Sequence, residues 1–111
     1  MQAPILSIIF SFRNEERVLQ ELISRVRAVL TKEKEHNTIA GWELVFVNDA
    51  SNDRSLEVLL RHAQNTKDIK IITMSRVFGV APCVMAGLGH AQGDAAVYMD
   101  ADLQDPPELI P

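Results

Sequence analysis

The sequence predicts an α/β fold, in which a parallel β-sheet is covered by α-helices. Four short apolar runs rich in β-branched residues, at 5–10, 43–47, 69–74 and 95–99, have the length and composition of buried strands. Three stretches of helical character separate them, at about 15–30, 53–63 and 81–91. Strands that alternate with helices form parallel sheets with right-handed crossovers. We therefore expect a Rossmann-like, three-layer α/β/α arrangement.

The first helix has the clearest pattern. Its apolar residues recur at spacings of three and four, which places them in one stripe. The stripe consists of Val18, Leu19, Leu22, Ile23, Val26, Val29 and Leu30. We expect Asn14 to be the N-cap, with Glu15 and Glu16 at the positive end of the helix dipole.

The other two helices are shorter. The second should turn four apolar residues inward, Leu56, Leu59, Leu60 and Ala63. In the third, Pro82 is tolerated because the amides of a first turn have no partner within the helix. Gly87 and Gly89 weaken this helix, and close packing on the sheet would explain them. Gly93-Asp94 is expected to turn the chain into the fourth strand.

The composition is that of one globular domain, residues 1–111, with no internal boundary. Hydrophobic residues make up 47% of the chain, enough for a core. The net charge is −4 and no Lys/Arg run occurs, which argues against a nucleic-acid partner. No stretch approaches the roughly 20 apolar residues of a membrane span, and the start has no signal-peptide pattern. We therefore expect a cytoplasmic segment.

The cysteine and the histidines do not have the spacing of a metal site. Cys83, the single cysteine, lies in an apolar helical stretch, and we expect it to be a buried residue without a functional role. His36, His62 and His90 are expected at the surface. Neither a phosphate-binding glycine loop nor a nucleophile elbow occurs in the sequence.

A polar cluster follows each predicted strand. The clusters lie at Ser11 to Glu15, Asn48 to Asp53, Ser75 to Arg76, and Asp100 to Gln104. The carboxyl ends of parallel strands share one edge of the sheet, where ligands of open α/β sheets bind. Three of these clusters carry carboxylates, which repel one another unless a cation is present. The pattern therefore predicts a divalent metal at this edge.

Asp100-Ala101-Asp102 is the sharpest of these features. Residues two apart in a strand point to the same side, and Gln104 continues the alternation. Such oxygen ligands suit Mg²⁺ or Mn²⁺, which would hold a diphosphate and neutralise its charge as it leaves. Chance alone supplies an Asp-x-Asp in about a quarter of chains of this length. Its position at the end of a strand, just before Asp105, is what favours a metal site.

Three other polar features each have two interpretations. Asn14-Glu15-Glu16 is either an ordinary helix start or part of a ligand site. The segment 48–51 is either a turn that leads into the second helix or a binding loop. Arg76 is either a solvated surface residue or a contact to a diphosphate.

Together these segments resemble the family 2 glycosyltransferases of the GT-A fold. The resemblance is greatest to the branch that transfers a sugar from a nucleotide donor to a polyprenyl phosphate. It covers essentially the whole chain in order, through residues 11–16, 45–53, 75–79, 86–88 and 93–107. The most specific stretch is Met99-Asp100-Ala101-Asp102-Leu103-Gln104-Asp105-Pro106-Pro107.

The resemblance implies the N-terminal, nucleotide-sugar-binding half of a GT-A fold. The nucleotide sugar would be bound by Ser11, Arg13, Glu15, Asn48, Asp49, Arg76 and Asp100. The metal, Mg²⁺ or Mn²⁺, would be bound by Asp100, Asp102 and Gln104. No catalytic residue falls within the chain, because the general base of the family would lie beyond Pro111. The acceptor site and carboxy-terminal membrane helices would follow it, and the full-length protein would act at the cytoplasmic face of a membrane.

The sequence departs from the family pattern in its weaker motifs. The family usually has Pro, Tyr, Asp, Gly, Lys and Glu where this chain has Ser11, Arg13, Asn48, Ala50, Val80 and Ala81. These changes affect donor and acceptor binding, while the metal motif is intact.

Three interpretations of function follow. The first is a glycosyltransferase segment for metal-dependent, inverting transfer from a UDP- or GDP-sugar to a polyprenyl phosphate, in cell-wall or lipid glycosylation. On this interpretation the segment alone binds donor and is inactive. The second is a non-catalytic nucleotide- or metal-binding remnant of a truncated or degenerate glycosyltransferase. The third is an unrelated α/β binding module. Because an incomplete sheet exposes an edge strand, we also expect self-association.

Overall fold

The computed structural model describes residues 3–14, 17–65 and 68–100 and confirms the parallel α/β architecture. The elements are β1 (Ile5–Phe12), α1 (Leu19–Glu35), β2 (Gly41–Asn48), α2 (Ser55–Asn65), β3 (Ile69–Thr73), α3 (Val80–His90) and β4 (Ala95–Asp100). The strands are all parallel and lie in the order β3-β2-β1-β4. This order places β1 and β2 at the centre of the sheet.

The central strands are buried on both faces, as the mostly apolar run of β1 predicts. On one face, α1 and α2 cover a core in which the rings of Phe10 and Phe46 stack with centroids 4.8 Å apart. On the other face, α3 packs against β1 and β2, over Ile9 and Val47. The sheet therefore separates two helical layers.

Five residues of the predicted α1 stripe are buried, Leu19, Leu22, Ile23, Val26 and Leu30, whereas Val18 and Val29 are half-buried. The predicted N-cap is wrong. The helix begins at Leu19, and Val18 occupies the cap position without a side-chain hydrogen bond. Asn14 instead adopts a left-handed φ of 59° and bonds to the loop after β2, which draws it away from the helix. Glu15 and Glu16 lie outside the described residues.

The inward face of α2 differs from the prediction at Leu60, which is exposed, and it also includes Ser55. Ser55 and Leu59, one turn apart, are fully buried, whereas Leu60 is 47% exposed. Leu56 and Ala63 are half-buried. The face is set by packing of α2 on α1 and β3, and this packing turns Leu60 toward solvent. The start of the helix is closed by Asp53, whose carboxylate accepts bonds from the amide and the hydroxyl of Ser55, at 2.9 and 2.6 Å.

The two glycines of α3 have different roles. A β-carbon at Gly87 would lie 2.5 Å from Cγ2 of Ile9, so the helix approaches the sheet at a distance that only glycine allows. A β-carbon at Gly89 would meet nothing within 4 Å. Close packing is therefore the correct explanation for Gly87 and the wrong one for Gly89. Cys83 is fully buried, as predicted.

Gly93 and Asp94 turn the chain into β4, as predicted, and they also fasten it to β1. The Asp94 carboxylate accepts from the amide of Ile5 at 2.8 Å, and the Asp94 amide donates to the Ile5 carbonyl at 2.7 Å. The Gly93 amide donates to the Ser7 hydroxyl at 2.9 Å. These bonds set the register of β4 beside β1.

Two smaller predictions concern the surface and the membrane. His36 and His90 are exposed, whereas His62 is half-buried. Burial, together with the nearby charges of Arg27 and Arg61, lowers the pKa of His62. Among the helices that the structure describes, none has the length and apolar character needed to cross a membrane.

Candidate functional site

The loops after β1 and β2 are bonded to each other at the carboxyl edge of the sheet. The Asn14 amide donates to the Ser51 hydroxyl at 3.0 Å, and the Asn14 carboxamide oxygen accepts from the Asn52 amide at 2.8 Å. Further in, the Asp49 amide donates to the Phe12 carbonyl at 2.9 Å. The first two polar clusters therefore form one unit, as the parallel topology predicts.

Asn48 shapes this unit from within. Its side chain is 2% exposed, and its oxygen accepts from the Ser51 amide at 2.9 Å. Its main-chain carbonyl accepts from the Met74 amide at 2.9 Å, which ties the end of β3 to the same loop. The carboxamide oxygen of Asn48 accepts from the Ser51 amide as well as a carboxylate oxygen would, but the side chain supplies no negative charge to balance a cation.

Asp49 is the most heavily bonded residue of the site. It is 7% exposed, and its two oxygens accept from the amides of Phe78 and Gly79 at 2.8 and 2.9 Å. The buried Cys83 thiol also favours the ionised form of Asp49 and lowers its pKa. Burial opposes ionisation of Asp49, but these bonds and the charge of Arg13 outweigh burial and hold its pKa below the ordinary value. Asp49 is therefore an ionised anchor for the loop between β3 and α3.

Ser11 lies on the β4 side of the same edge. It is 8% exposed, and its hydroxyl shares a hydrogen bond of 2.8 Å with that of Tyr98. In the ladder, Ser11 pairs with Asp100, the last residue of β4. The main chain of Asp100 therefore arrives beside the loop after β1, where the predicted metal motif begins.

Two arginines give the edge positive charge. Arg13 is exposed, and its positive charge favours the ionised form of Asp49. Arg76 is also exposed, and its guanidinium carbon lies 4.7 Å from the centroid of the Phe78 ring. Cations beside an exposed aromatic ring suit a ligand that is both anionic and planar.

The structure brings together most of the predicted site. Ser11 and Asn48 at strand ends, and Arg13, Asp49 and Arg76 on the loops that follow, lie at one sheet edge with the main chain of Asp100. Glu15, Asp102 and Gln104 lie outside the described residues, and the metal site stays a prediction. Within 3–14, 17–65 and 68–100, no three His, Cys, Asp or Glu residues are arranged to hold a metal ion.

Three residues at this edge were not among the predicted site residues, Tyr98, Phe78 and Cys83. Tyr98 could have been found from strand alternation, because Ile9 pairs with Tyr98 and Ser11 with Asp100, so that Ser11 and Tyr98 share a face. Phe78 contributes its main-chain amide as well as its ring, and nothing in a sequence marks an amide as a ligand. Cys83 could not be predicted from the sequence, because only the packing of α3 on the sheet brings the start of α3 near Asp49.

Comparison with known proteins gives consistent results. The family model described as glycosyl transferase family 2 matches residues 7–111. An uncharacterised glycosyltransferase of Bacillus subtilis, YkcC, is 47% identical over 94% of this chain and 31% of its own length. The undecaprenyl-phosphate 4-deoxy-4-formamido-L-arabinose transferase of Pectobacterium atrosepticum is 39% identical over 96% of this chain and 31% of its own. The chain thus spans about a third of these relatives.

Solved structures agree on the fold. The mannosyltransferase PcManGT of Pyrobaculum calidifontis, solved with GDP-Man and Mn²⁺, superposes with a TM-score of 0.76 at 22% identity. It is matched over 94% of this chain and 33% of its own. Residues 1–349 of Staphylococcus aureus TarS, solved with UDP-GlcNAc, give 0.72 at 22% identity, over 87% of this chain and 26% of the other. These likenesses support the GT-A type of fold.

Proposed function

Since this chain belongs to glycosyl transferase family 2, we propose that it supplies the donor- and metal-binding part of a sugar transferase. The donor is a UDP- or GDP-sugar, the metal Mg²⁺ or Mn²⁺, and the acceptor a polyprenyl phosphate. Residues 1–111 form one part of a larger glycosyltransferase domain. The observation that carries the proposal is the convergence of the loops after β1, β2 and β3, with the end of β4, at one edge of the sheet.

The donor is proposed from charge and from the relatives. Arg13 and Arg76 supply positive charge at the edge, and the ring of Phe78 supplies an apolar surface. Ser11, Glu15, Asn48, Asp49 and Asp100 complete the proposed nucleotide-sugar site. PcManGT was solved with GDP-Man and TarS with UDP-GlcNAc, which supports a nucleotide sugar without choosing between the two bases.

The metal is proposed from the chemistry of its ligands. Asp100, Asp102 and Gln104 offer hard oxygen donors of the kind that Mg²⁺ and Mn²⁺ prefer. The described part of this set is the main chain of Asp100, which lies in register with Ser11. A bound ion would neutralise the diphosphate as it leaves the sugar. The Mn²⁺ in PcManGT supports this assignment.

The acceptor is proposed from the relatives alone. The Pectobacterium atrosepticum transferase, named for undecaprenyl phosphate, matches nearly the whole of this chain. A lipid acceptor implies that the full-length protein works at the cytoplasmic face of a membrane. The general base lies outside residues 1–111 on this proposal, so we expect no sugar transfer by this chain alone.

The proposal is tested by calorimetry of the purified chain with UDP and GDP, in the presence and absence of Mn²⁺. We expect metal-dependent binding of at least one nucleotide, weakened at least ten-fold by Asp102→Ala, since the loss of one charged ligand removes about 1.5–3 kcal/mol. Glu57→Gln, an exposed carboxylate on α2, is the matched control and should bind as the unchanged chain does. Absence of binding, or equal binding by Asp102→Ala, would count against the proposal.

A second candidate function is a nucleotide- or metal-binding remnant that performs no transfer in any context. Asn48, Val80 and Ala81, which replace charged residues of the family pattern, favour it. The discriminating assay is sugar transfer from UDP- and GDP-sugars to a polyprenyl phosphate by the full-length protein. Transfer would eliminate the remnant, whereas donor binding without transfer would support it.

A further inference from the structure

We propose that Asp49 is a positioning residue, which acts on the nucleotide sugar through the loop between β3 and α3 and does not touch it. Through this loop, Asp49 places the guanidinium of Arg76 where an anionic ligand binds. The family resemblance implies only that Asp49 belongs to the nucleotide-sugar site. A role in nucleotide affinity rests on the proposed function, whereas the anchoring of the loop does not.

Both oxygens of the Asp49 carboxylate are already bonded within the protein. One accepts from the amide of Phe78 at 2.8 Å, and the other accepts from the amide of Gly79 at 2.9 Å. Asp49 is 7% exposed, so little of its surface is open to a ligand. A nucleotide that contacted this carboxylate would have to share its oxygens with two main-chain amides.

The main chain of Asp49 is itself held at the end of the sheet. Its amide donates to the Phe12 carbonyl at 2.9 Å, and it follows Asn48, the last residue of β2. Phe12 and Asn48 are both buried. The carboxylate therefore joins the buried ends of the two central strands to the loop that follows β3.

The anchored loop carries an exposed positive charge. The guanidinium carbon of Arg76 lies 4.7 Å from the centroid of the Phe78 ring, which is 37% exposed. The amide of the same Phe78 is bonded to Asp49, and Gly79 follows with a φ of 91°, which only glycine adopts without strain. The ring that supports the guanidinium is thus tied to the carboxylate through the main chain of one residue.

The charges of the two side chains favour this division of roles. Burial opposes ionisation of Asp49, but the hydrogen bonds from the two amides and the other nearby groups outweigh burial and lower its pKa. At neutral pH it is therefore an anion, which repels the diphosphate of a nucleotide sugar. Arg76 keeps its positive charge and has the planar donors that bind phosphate oxygens in pairs. The cation suits direct contact, and the anion suits the support behind it.

The anchoring of the loop is measured by amide hydrogen exchange of the 111-residue chain, followed by NMR. Asp49→Asn replaces one carboxylate oxygen by a group that cannot accept, so we expect the protection of Phe78 and Gly79 to fall about ten-fold. Glu43→Gln is the matched control, because Glu43 also accepts from a main-chain amide, at the opposite edge of the sheet. It should leave the protection of both amides within about two-fold, as expected of a distant site. Unchanged protection in Asp49→Asn, or an equal fall in Glu43→Gln, would overturn the anchoring role.

The indirect role is measured by a double-mutant cycle on nucleotide affinity. Calorimetry with UDP and GDP in the presence of Mn²⁺ is performed on the unchanged chain, Asp49→Asn, Arg76→Ala and the variant with both substitutions. We expect Asp49→Asn to weaken binding by about five-fold when Arg76 is present, the effect of one lost hydrogen bond. It should weaken binding by less than about two-fold in the Arg76→Ala chain, because the effects of coupled residues do not add. Glu43→Gln should bind as the unchanged chain does.

Equal losses of affinity with and without Arg76→Ala would mean that Asp49 acts independently of Arg76, and would overturn the indirect role while the proposed function stands. If Glu43→Gln weakens binding as much as Asp49→Asn, the loss reflects general stability, and the positioning role is overturned as well. If the unchanged chain binds neither nucleotide, the proposed function fails and the role in affinity fails with it. The exchange measurement then still decides whether Asp49 anchors the loop.

Discussion

At the scale of single residues, the candidate site is built mainly from side chains that bond to main chain. Asn48 accepts from the amide of Ser51, Asn14 from that of Asn52, and Asp49 from those of Phe78 and Gly79. Short polar side chains compete well for backbone groups, which is why such residues collect in loops. The same residue types that suggested ligand contacts therefore also fold the loops that present them.

Ala50 is the strained residue of this site. Its φ is 54°, in the left-handed region, where an L-residue with a β-carbon costs about 1–2 kcal/mol. Glycine adopts this conformation freely but loses about 0.5–1 kcal/mol more backbone entropy on folding. The strain is a consequence of the turn that brings Ser51 back to the side chain of Asn48.

We predict that Ala50→Gly raises the free energy of unfolding by about 0.5–1 kcal/mol, the difference between these two effects. The measurement is urea unfolding at neutral pH. Ala28→Gly, at an exposed position within α1, is the matched control and should lower stability by about 1 kcal/mol. If Ala50→Gly and Ala28→Gly change the free energy of unfolding in the same direction, the left-handed conformation of Ala50 is contradicted.

At the scale of elements, α3 differs from the other helices. It carries no Asp, Glu, Lys or Arg, and it packs on β1 and β2 with Gly87 against Ile9 and Val47. On the opposite side Met85 and Leu88 are 70% and 48% exposed. The helix is therefore fixed to the sheet by close backbone approach rather than by a wide apolar stripe.

We predict that Gly87→Ala lowers the free energy of unfolding by about 1–3 kcal/mol, the usual cost of overpacking. The added methyl would lie 2.5 Å from Cγ2 of Ile9 and 3.3 Å from Cγ2 of Val47, both on fully buried strand residues. Gly89→Ala, two positions further, meets nothing within 4 Å and should stabilise by about 0.5–1 kcal/mol through helix propensity. Thermal or urea unfolding of the Gly87→Ala and Gly89→Ala variants tests this prediction. Equal changes in the free energy of unfolding would argue against the close packing of Gly87 on Ile9 and Val47.

At the scale of the whole molecule, a carboxylate with a lowered pKa lies at each edge of the sheet, Glu43 at the amino edge and Asp49 at the carboxyl edge. At the amino edge, the Glu43 carboxylate accepts from the hydroxyl of Ser7 at 2.6 Å, from the amide of Gln92, and from Lys70 at 3.1 Å. Burial opposes its ionisation, but these partners outweigh burial and lower the pKa of Glu43. At the carboxyl edge, burial likewise opposes the ionisation of Asp49, and its hydrogen bonds outweigh burial and lower its pKa.

Both carboxylates make stability depend on pH in the same direction. Each has a folded-state pKa below its ordinary value, 4.5 for Glu43 and 3.8 for Asp49. The stabilisation is therefore complete above the ordinary pKa and is lost as the pH falls through the folded-state pKa. We predict an acid limb of instability that begins below pH 4.5.

The check is the free energy of unfolding between pH 7 and pH 2.5 for the unchanged chain, Glu43→Gln and Asp49→Asn. Each variant should be less stable than the unchanged chain at pH 7 and should show a shallower acid limb. Glu57→Gln, which removes an exposed carboxylate, should keep the slope of the unchanged chain. A slope that neither Glu43→Gln nor Asp49→Asn alters would contradict these pKa directions.

Two proposals also belong to the whole molecule. Self-association through an exposed sheet edge stays a prediction, and sedimentation of the purified chain tests it. Among the described residues, β4 pairs with β1 alone. That residues 1–111 form one part of a larger glycosyltransferase domain is likewise a proposal. It is supported by the match of this chain to about a third of the length of each relative.

What the sequence determined by itself is the fold and the edge of the sheet at which the candidate site lies. Periodicity and composition placed the seven elements that the structure describes, because runs of β-branched apolar residues mark the strands and an apolar stripe marks α1. The polar residues after each strand then had to meet at one edge, since parallel strands share their carboxyl ends. On this reasoning Ser11, Asn48, Asp49 and Arg76 were expected at this edge, where the structure places them, and their role in binding stays a prediction.

Only the tertiary structure decided how these residues bond. Asn14 has the sequence of a helix cap but binds the next loop, and Leu60 fits the apolar stripe but faces solvent. Asp49, at the end of β2, binds the amides of Phe78 and Gly79 before α3. Each outcome depends on a contact between segments distant in the chain. Local pattern records the burial of an element, whereas the partner of a side chain is fixed by the packing of one element on another.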